Sequence, residues 1–235
     1  MSETLLEVEG LSAAYGLAQI LFDVSLTLRR GEVAALMGRN GAGKSTTLKA
    51  IMGLLPREAR RLTFAGADLR PLPPYKVARA GLGYVPEERR IFTDLTVMEN
   101  LEVGRQGARP GGSPWTPERL FAIFPNLAEM KRRPASQMSG GEQQMLTIAR
   151  TLMGNPVAVL LDEPSEGLAP VIVELMATAI GTMKQEGVAV LLSEQNLRFA
   201  ASVADRAFVI DRGQIRYSGT MADLSADAAI REEYL

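Results

Sequence analysis

The sequence predicts an α/β fold with a mostly parallel central sheet, an antiparallel β subdomain at the N-terminus and a helical segment inserted between strands of the sheet. Three observations predict it. Short, nearly unbroken apolar runs (VAALM, AVLLD, VAVLL) alternate with helical patterns, as parallel strands covered on both faces do. The first stretch, LLEVEGLSAAYG followed by FDVSLTLRRGE, alternates apolar with polar residues, as a half-buried antiparallel pair does. From residue 95 to 150 the chain turns to helix formers interrupted by Gly and Pro.

The N-terminal pair leads into VAALMGRNGAGKSTTLKAIMGLL, read as an apolar strand, a glycine-rich turn and a helix with Leu48, Ile51, Met52 and Leu55 on one face, stopped by Pro56. RLTFAG and GLGYVPEE are further short strands, separated by a turn and a short helix in PLPPYKVARAG. Thr116, Pro117 and Glu118 form a helix start, a capping hydroxyl followed by Pro at the first helical position. The preceding loop, RQGARPGGSP at 105–114, is read as exposed and mobile, with no chemistry assigned. AVLLDEP then gives a buried strand, VIVELMATAIGTMKQEG a helix, VAVLLSEQN a strand, LRFAASVA a helix, and AFVIDRGQIRYSG a hairpin turning at Asp211 to Gly213. The expectation is a single domain, 1–235, with 95–150 as a helical subdomain.

Composition narrows the function. The 235 residues carry 26 Lys and Arg against 27 Asp and Glu, a formal net charge of -1 that gives no reason to expect a nucleic-acid surface. There is no Cys and no His, so disulfides, thiolate metal sites and an imidazole base are excluded. The opening MSETLLEVEG has neither a basic nor an apolar leader pattern, and no run approaches a membrane span, so the chain is expected to remain unexported and to dock on a membrane at most.

GRNGAGKS at 38–45 fits the phosphate-loop pattern residue for residue, between a strand and a helix as that pattern requires. A glycine-rich turn can be only a turn, but here pattern and context agree, pointing to a P-loop NTPase core. Gly38, Gly41 and Gly43 let backbone N–H groups approach phosphates, Lys44 places a cation on the β/γ-phosphates, and Ser45 reaches Mg²⁺. The nucleotide-binding set runs through Arg39, Asn40, Ala42 and Thr46. Downstream, AVLLDEP ends a buried strand on two acids: Asp162 to meet Mg²⁺ and Glu163 to hold the attacking water. SGGEQ opens a helix with Ser139, Gly140, Gly141 and Glu142, a second candidate anion site.

With the phosphate loop, SGGEQ just before a helix leading to the acidic strand, and SEGLAP at 165–170, the chain resembles the nucleotide-binding subunits of ATP-binding-cassette transporters along its whole length. The resemblance implies a head-to-tail pair, of identical or similar subunits, in which Ser139, Gly140, Gly141 and Glu142 act on the partner's ATP. It places Tyr15 against adenine. It aligns Glu87 with a Gln that touches Mg²⁺ or water, and Gln195, in the segment SEQN, with a His that contacts the γ-phosphate. Gln195 can donate an amide hydrogen bond but takes no proton near neutral pH, leaving Glu163 as the water-activating group.

These two departures, with GLGYVPEERRIFTDLTVMENL, look like the second ATPase subunit of bacterial branched-chain or hydrophobic amino-acid importers. The implied cofactors are ATP and Mg²⁺. The implied partners are two transmembrane permease subunits and, indirectly, a periplasmic substrate-binding protein, with the chain peripheral on the cytoplasmic face of the inner membrane. An apolar patch with Ile91, Phe92, Leu95 and Val97 would receive a short helix of the permease. Urea or short-chain amide import, and a nucleotide-gated module without transport, remain the alternatives.

Overall fold

The computed structural model describes residues 3–109 and 113–235. Two sheets organise it. The N-terminal sheet pairs β1 (Thr4–Tyr15) antiparallel with β2 (Ala18–Arg29), on β1's other side with β4 (Arg57–Glu58) and β5 (Arg61–Phe64), and β5 with β6 (Ala67–Asp68). The main sheet runs β11-β10-β3-β9-β8-β7, built from β3 (Val33–Met37), β7 (Leu82–Val85), β8 (Ala158–Asp162), β9 (Ala189–Glu194), β10 (Arg206–Asp211) and β11 (Gln214–Thr220). All its pairs are parallel except the β10–β11 hairpin. Every residue of β3, β8 and β9 is buried, which is why these strands read as unbroken apolar runs. β1 alternates because only one face of its sheet meets the core.

Ten helices cover the sheets among the described residues: α1 (Lys44–Ile51), α2 (Pro74–Ala80), α3 (Val97–Gly104), α4 (Pro117–Ile123), α5 (Pro125–Glu129), α6 (Gly140–Leu152), α7 (Pro170–Gln185), α8 (Leu197–Val203), α9 (Met221–Ala226) and α10 (Ala228–Tyr234). α3 to α6 share a core with α7 and one face of the main sheet, in which Leu101, Phe124, Met145 and Met176 are buried together. Leu48 and Ile51 of α1 pack instead with the N-terminal sheet on the other face. Thr116 caps α4 and Pro117 opens it, as the sequence predicts.

Two expectations need correction, and two helices were not foreseen. α1 stops at Ile51, before Leu55 and Pro56, because Gly53 turns the chain at φ 77° and the Arg57 guanidinium bonds the last carbonyls, of Ala50 and Ile51. The 105–114 loop is not wholly loose: Arg109 donates to the carbonyls of Asn155 and Arg79, while residues 110–112 lie outside the described residues. The C-terminal helices α9 and α10 carry no sequence expectation, although Thr220 and Asp227 each cap one.

Candidate functional site

The main sheet delivers its chemistry at the C-terminal ends of β3, β8 and β9. The 38–45 loop leaves β3 with Gly38 at φ 157°, Gly41 at 79° and Gly43 at 113°. A side chain on Gly38 would collide with the Ile210 carbonyl, and one on Gly43 would press on Leu21, so these two positions are closed to anything larger than glycine. α1 begins at Lys44 with Gly43 as its cap and no side chain occupying the helix start. Lys44 is 3% exposed; its ammonium donates to the carbonyls of Gly38 (2.7 Å) and Arg39 (3.1 Å) and lies 3.0 Å from Glu163 Oε1.

β8 ends on Asp162, which is fully buried. Three hydroxyls surround its carboxylate: Ser45 Oγ at 2.8 Å and Ser193 Oγ at 2.7 Å donate to Oδ1, and Tyr84 Oη at 3.1 Å donates to Oδ2. Burial and the Asp162 charge push the Tyr84 phenol up, keeping it a donor. Glu163 sits at φ 44°, a strained backbone for a non-glycine residue, held by its N–H on the Ser193 carbonyl at 3.1 Å. That turn aims Glu163 back at Lys44.

Around this centre the cleft is lined by Asn40, Glu163, Ser165, Glu166, Gly167, Glu194, Gln195 and Asn196. Glu87 follows β7 at the surface; partial burial and then the charges of Glu163 and Asp162 raise its pKa. Glu166 is likewise raised, first by its hydrogen bond with Glu163. Gln195 is exposed at the end of β9, beside the buried Glu194. Tyr15 ends β1, 47% exposed. The cleft thus unites the phosphate loop, the acidic strand and SEQN.

Ser139, Gly140, Gly141 and Glu142 do not line that cleft. Ser139 caps α6, and Glu142 closes a capping box by accepting the Ser139 N–H at 2.7 Å. The Glu142 carboxylate therefore stabilises its own helix, while the N–H groups of Gly140 and Gly141 remain at the open start of α6. Sequence reasoning assigned no role to Ser193, Glu194 or Tyr84. The signal for the first two was polar residues inside a strand that is buried to its last residue.

A buried carboxylate and a serine hydroxyl 2.8 Å apart are hard oxygen donors suited to Mg²⁺, and no cluster of three or more Asp or Glu among the described residues could cage a metal without phosphate oxygens. A phosphate loop and helix start facing two strand-end carboxylates define a P-loop nucleoside triphosphatase. The family model described as ABC transporter matches residues 21–166. The chain belongs to that family and is a nucleotide-binding ATPase subunit of such a transporter.

The chain is 40% identical over 231 residues to the high-affinity branched-chain amino acid transport ATP-binding protein BraG of Pseudomonas aeruginosa, covering 98% of this chain and 99% of that one. It is 34% identical to the lipopolysaccharide export system ATP-binding protein LptB of Haemophilus influenzae, covering 99% and 97%. Among solved structures it is similar to a nucleotide-free ATP-binding cassette from an ABC transporter (TM-score 0.82, 28% identity, 98% of each chain). A second cassette, solved in its ADP conformation, is also similar (TM-score 0.80, 27% identity, 98% of each chain). No helix among the described residues is long and apolar enough to cross a membrane.

Proposed function

We propose that this chain binds and hydrolyses MgATP to power a bacterial importer of branched-chain or other hydrophobic amino acids. The observation that carries the hydrolytic part is the convergence of Lys44, Ser45, Asp162 and Glu163 at one strand end. The near-full-length likeness to BraG supports the choice of substrate.

In this reading Tyr15 stacks on adenine, and the loop Gly38, Arg39, Asn40, Gly41, Ala42 and Gly43, with Thr46, wraps the phosphates. Lys44 neutralises the β/γ-phosphates. Ser45, Asp162 and Glu87 would hold Mg²⁺, which would supply charge neutralisation to the triphosphate. Glu163 orients a water and takes its proton as the water oxygen bonds the γ-phosphorus and the bond to the ADP oxygen breaks. Gln195 donates its amide to the γ-phosphate. Ser139, Gly140 and Gly141 serve the ATP of a second ATPase subunit in a head-to-tail pair, since two-fold symmetry makes two equal composite sites.

We further infer one ATPase domain over 1–235 with 95–150 as its helical subdomain. It would be peripheral on the cytoplasmic face of the inner membrane, bound to two permease subunits and served by a periplasmic binding protein. Co-purification from native membranes and reconstitution with that binding protein test this. ATPase stimulation by leucine, isoleucine or valine, saturating with the loaded binding protein and not with free ligand, is expected. Stimulation by urea alone points to the amide importers, and recovery of no membrane subunit counts against transport.

A further inference from the structure

Glu194 closes β9 with 2% of its surface exposed, in the wall of the cleft, and its two oxygens serve two separate loops. Oε1 accepts the N–H of Ser165 at 3.1 Å, in the segment that follows Glu163. Oε2 accepts the N–H groups of Gln195 at 3.1 Å and Asn196 at 3.0 Å. A plain strand-end cap explains only the second set, and α8 already has its own cap, the Asn196 side chain accepting from Phe199 N at 3.1 Å. Burying a carboxylate is costly, and burial raises the pKa of Glu194 against the bonds from Ser165, Asn196 and Gln195 that favour its charged form. An acceptor with two oxygens, one for each loop, is what the position requires, and a neutral amide offers only one.

We propose that Glu194 is a positioning residue for hydrolysis: it ties the loop after Glu163 to the segment bearing Gln195 and so fixes these two groups relative to each other across the γ-phosphate. The proposal rests on the reading of Gln195 as the γ-phosphate donor. It makes β9 a carrier of geometry on two counts, since Ser193 Oγ, one residue earlier, donates to Asp162. A shift of this strand end therefore moves the metal-side carboxylate, the water-side turn and the amide donor together.

The test is a double-mutant cycle on the purified full-length chain, with steady-state phosphate release and separate measurement of nucleotide affinity. Glu194→Gln puts an amide NH2 against N–H donors; we expect kcat to fall roughly tenfold or more, as misplacing a reacting group does, with KM and nucleotide affinity nearly unchanged. If Glu194 fixes Gln195 relative to Glu163, Glu194→Gln costs clearly less kcat in the Gln195→Ala background than in wild type, so the two losses do not multiply. Glu194→Asp, too short to reach both loops, carries the same cycle if Glu194→Gln fails to fold by circular dichroism. Unchanged kcat, losses that multiply in the double variant, or failure of both variants to fold overturns the proposal. A wild-type rate in Gln195→Ala overturns instead the role of Gln195 on which it rests, and a slow Gln195→Ala with multiplying losses overturns the Glu194 link alone.

Discussion

Lys44 and Glu163 form a buried ion pair at 3.0 Å, their side chains 3% and 10% exposed, so the cation expected to hold phosphate and the carboxylate expected to hold water are bound to each other. In the proposed role of Lys44, phosphate oxygens arriving at the loop would compete with Glu163 for the same ammonium. Under the proposed roles, nucleotide binding would free the carboxylate for water, so that one contact would link the two roles.

Glu163→Gln is expected to lower ATP hydrolysis at least about 10²-fold, as loss of a group acting in the chemical step does. ATP binding should persist or tighten, because the neutral amide competes less for Lys44. Persisting ATP should favour the closed pair by mass action. Phosphate release and sedimentation with MgATP check both points; near-wild-type turnover refutes the assignment.

Lys44→Ala should act differently. It removes charge-assisted hydrogen bonds worth about 1.5–3 kcal/mol each to phosphate, so nucleotide affinity falls at least about tenfold by calorimetry. It also leaves Glu163 without its cation in a site that is nearly closed to water, so thermal stability without nucleotide should drop as well. Unchanged affinity would remove Lys44 from the phosphate site.

Much of this site was legible in the sequence because its parts are local. The phosphate loop is a contiguous run of residues at fixed spacing, and the acids close a strand that reads as apolar to its last position. What lay hidden depends on neighbours far along the chain. Tyr84 meets Asp162 across 78 residues and Ser193 meets it across 31, because β7 and β9 flank β8 in the parallel sheet. The order of strands, not any spacing, makes those contacts. The end of α1 was misread for a similar reason: Pro56 is the visible stop, but Gly53 and the returning Arg57 end the helix first.

Gly104, at the end of α3, is expected to tolerate no side chain. A Cβ there would run into the Arg150 carbonyl and side chain on α6, where the two helices cross with backbones in close approach. Gly104→Ala forces the helices apart at an overpacking cost of about 1–3 kcal/mol. A denaturant or thermal melt reads this directly, and an unchanged midpoint contradicts the close approach. Because α6 carries Ser139 and Gly140 at its start, the variant should also lose ATPase activity that depends on pairing more than it loses nucleotide affinity.

The chain contains no histidine, and the proposed γ-phosphate donor, Gln195, is an amide exposed at the end of β9. If its amide orients the γ-phosphate, Gln195→Ala should slow hydrolysis by the equivalent of about 1.5–3 kcal/mol, the worth of a hydrogen bond to a charged group. Gln195→His should keep much of the activity and gain an inflection near pH ~6.5, the ordinary imidazole range. The facing carboxyls of Glu87, Glu166 and Glu194 all have raised pKa values, so they charge at higher pH than ordinary carboxyls. Their titration is common to wild type and both variants, so the difference between pH–rate profiles isolates position 195. Wild type and Gln195→Ala should share one profile shape at different heights from pH about 5.5 to 8.5, with only the His variant bending near neutrality. Equal rates for wild type and Gln195→Ala would mean that the SEQN segment merely ends a strand.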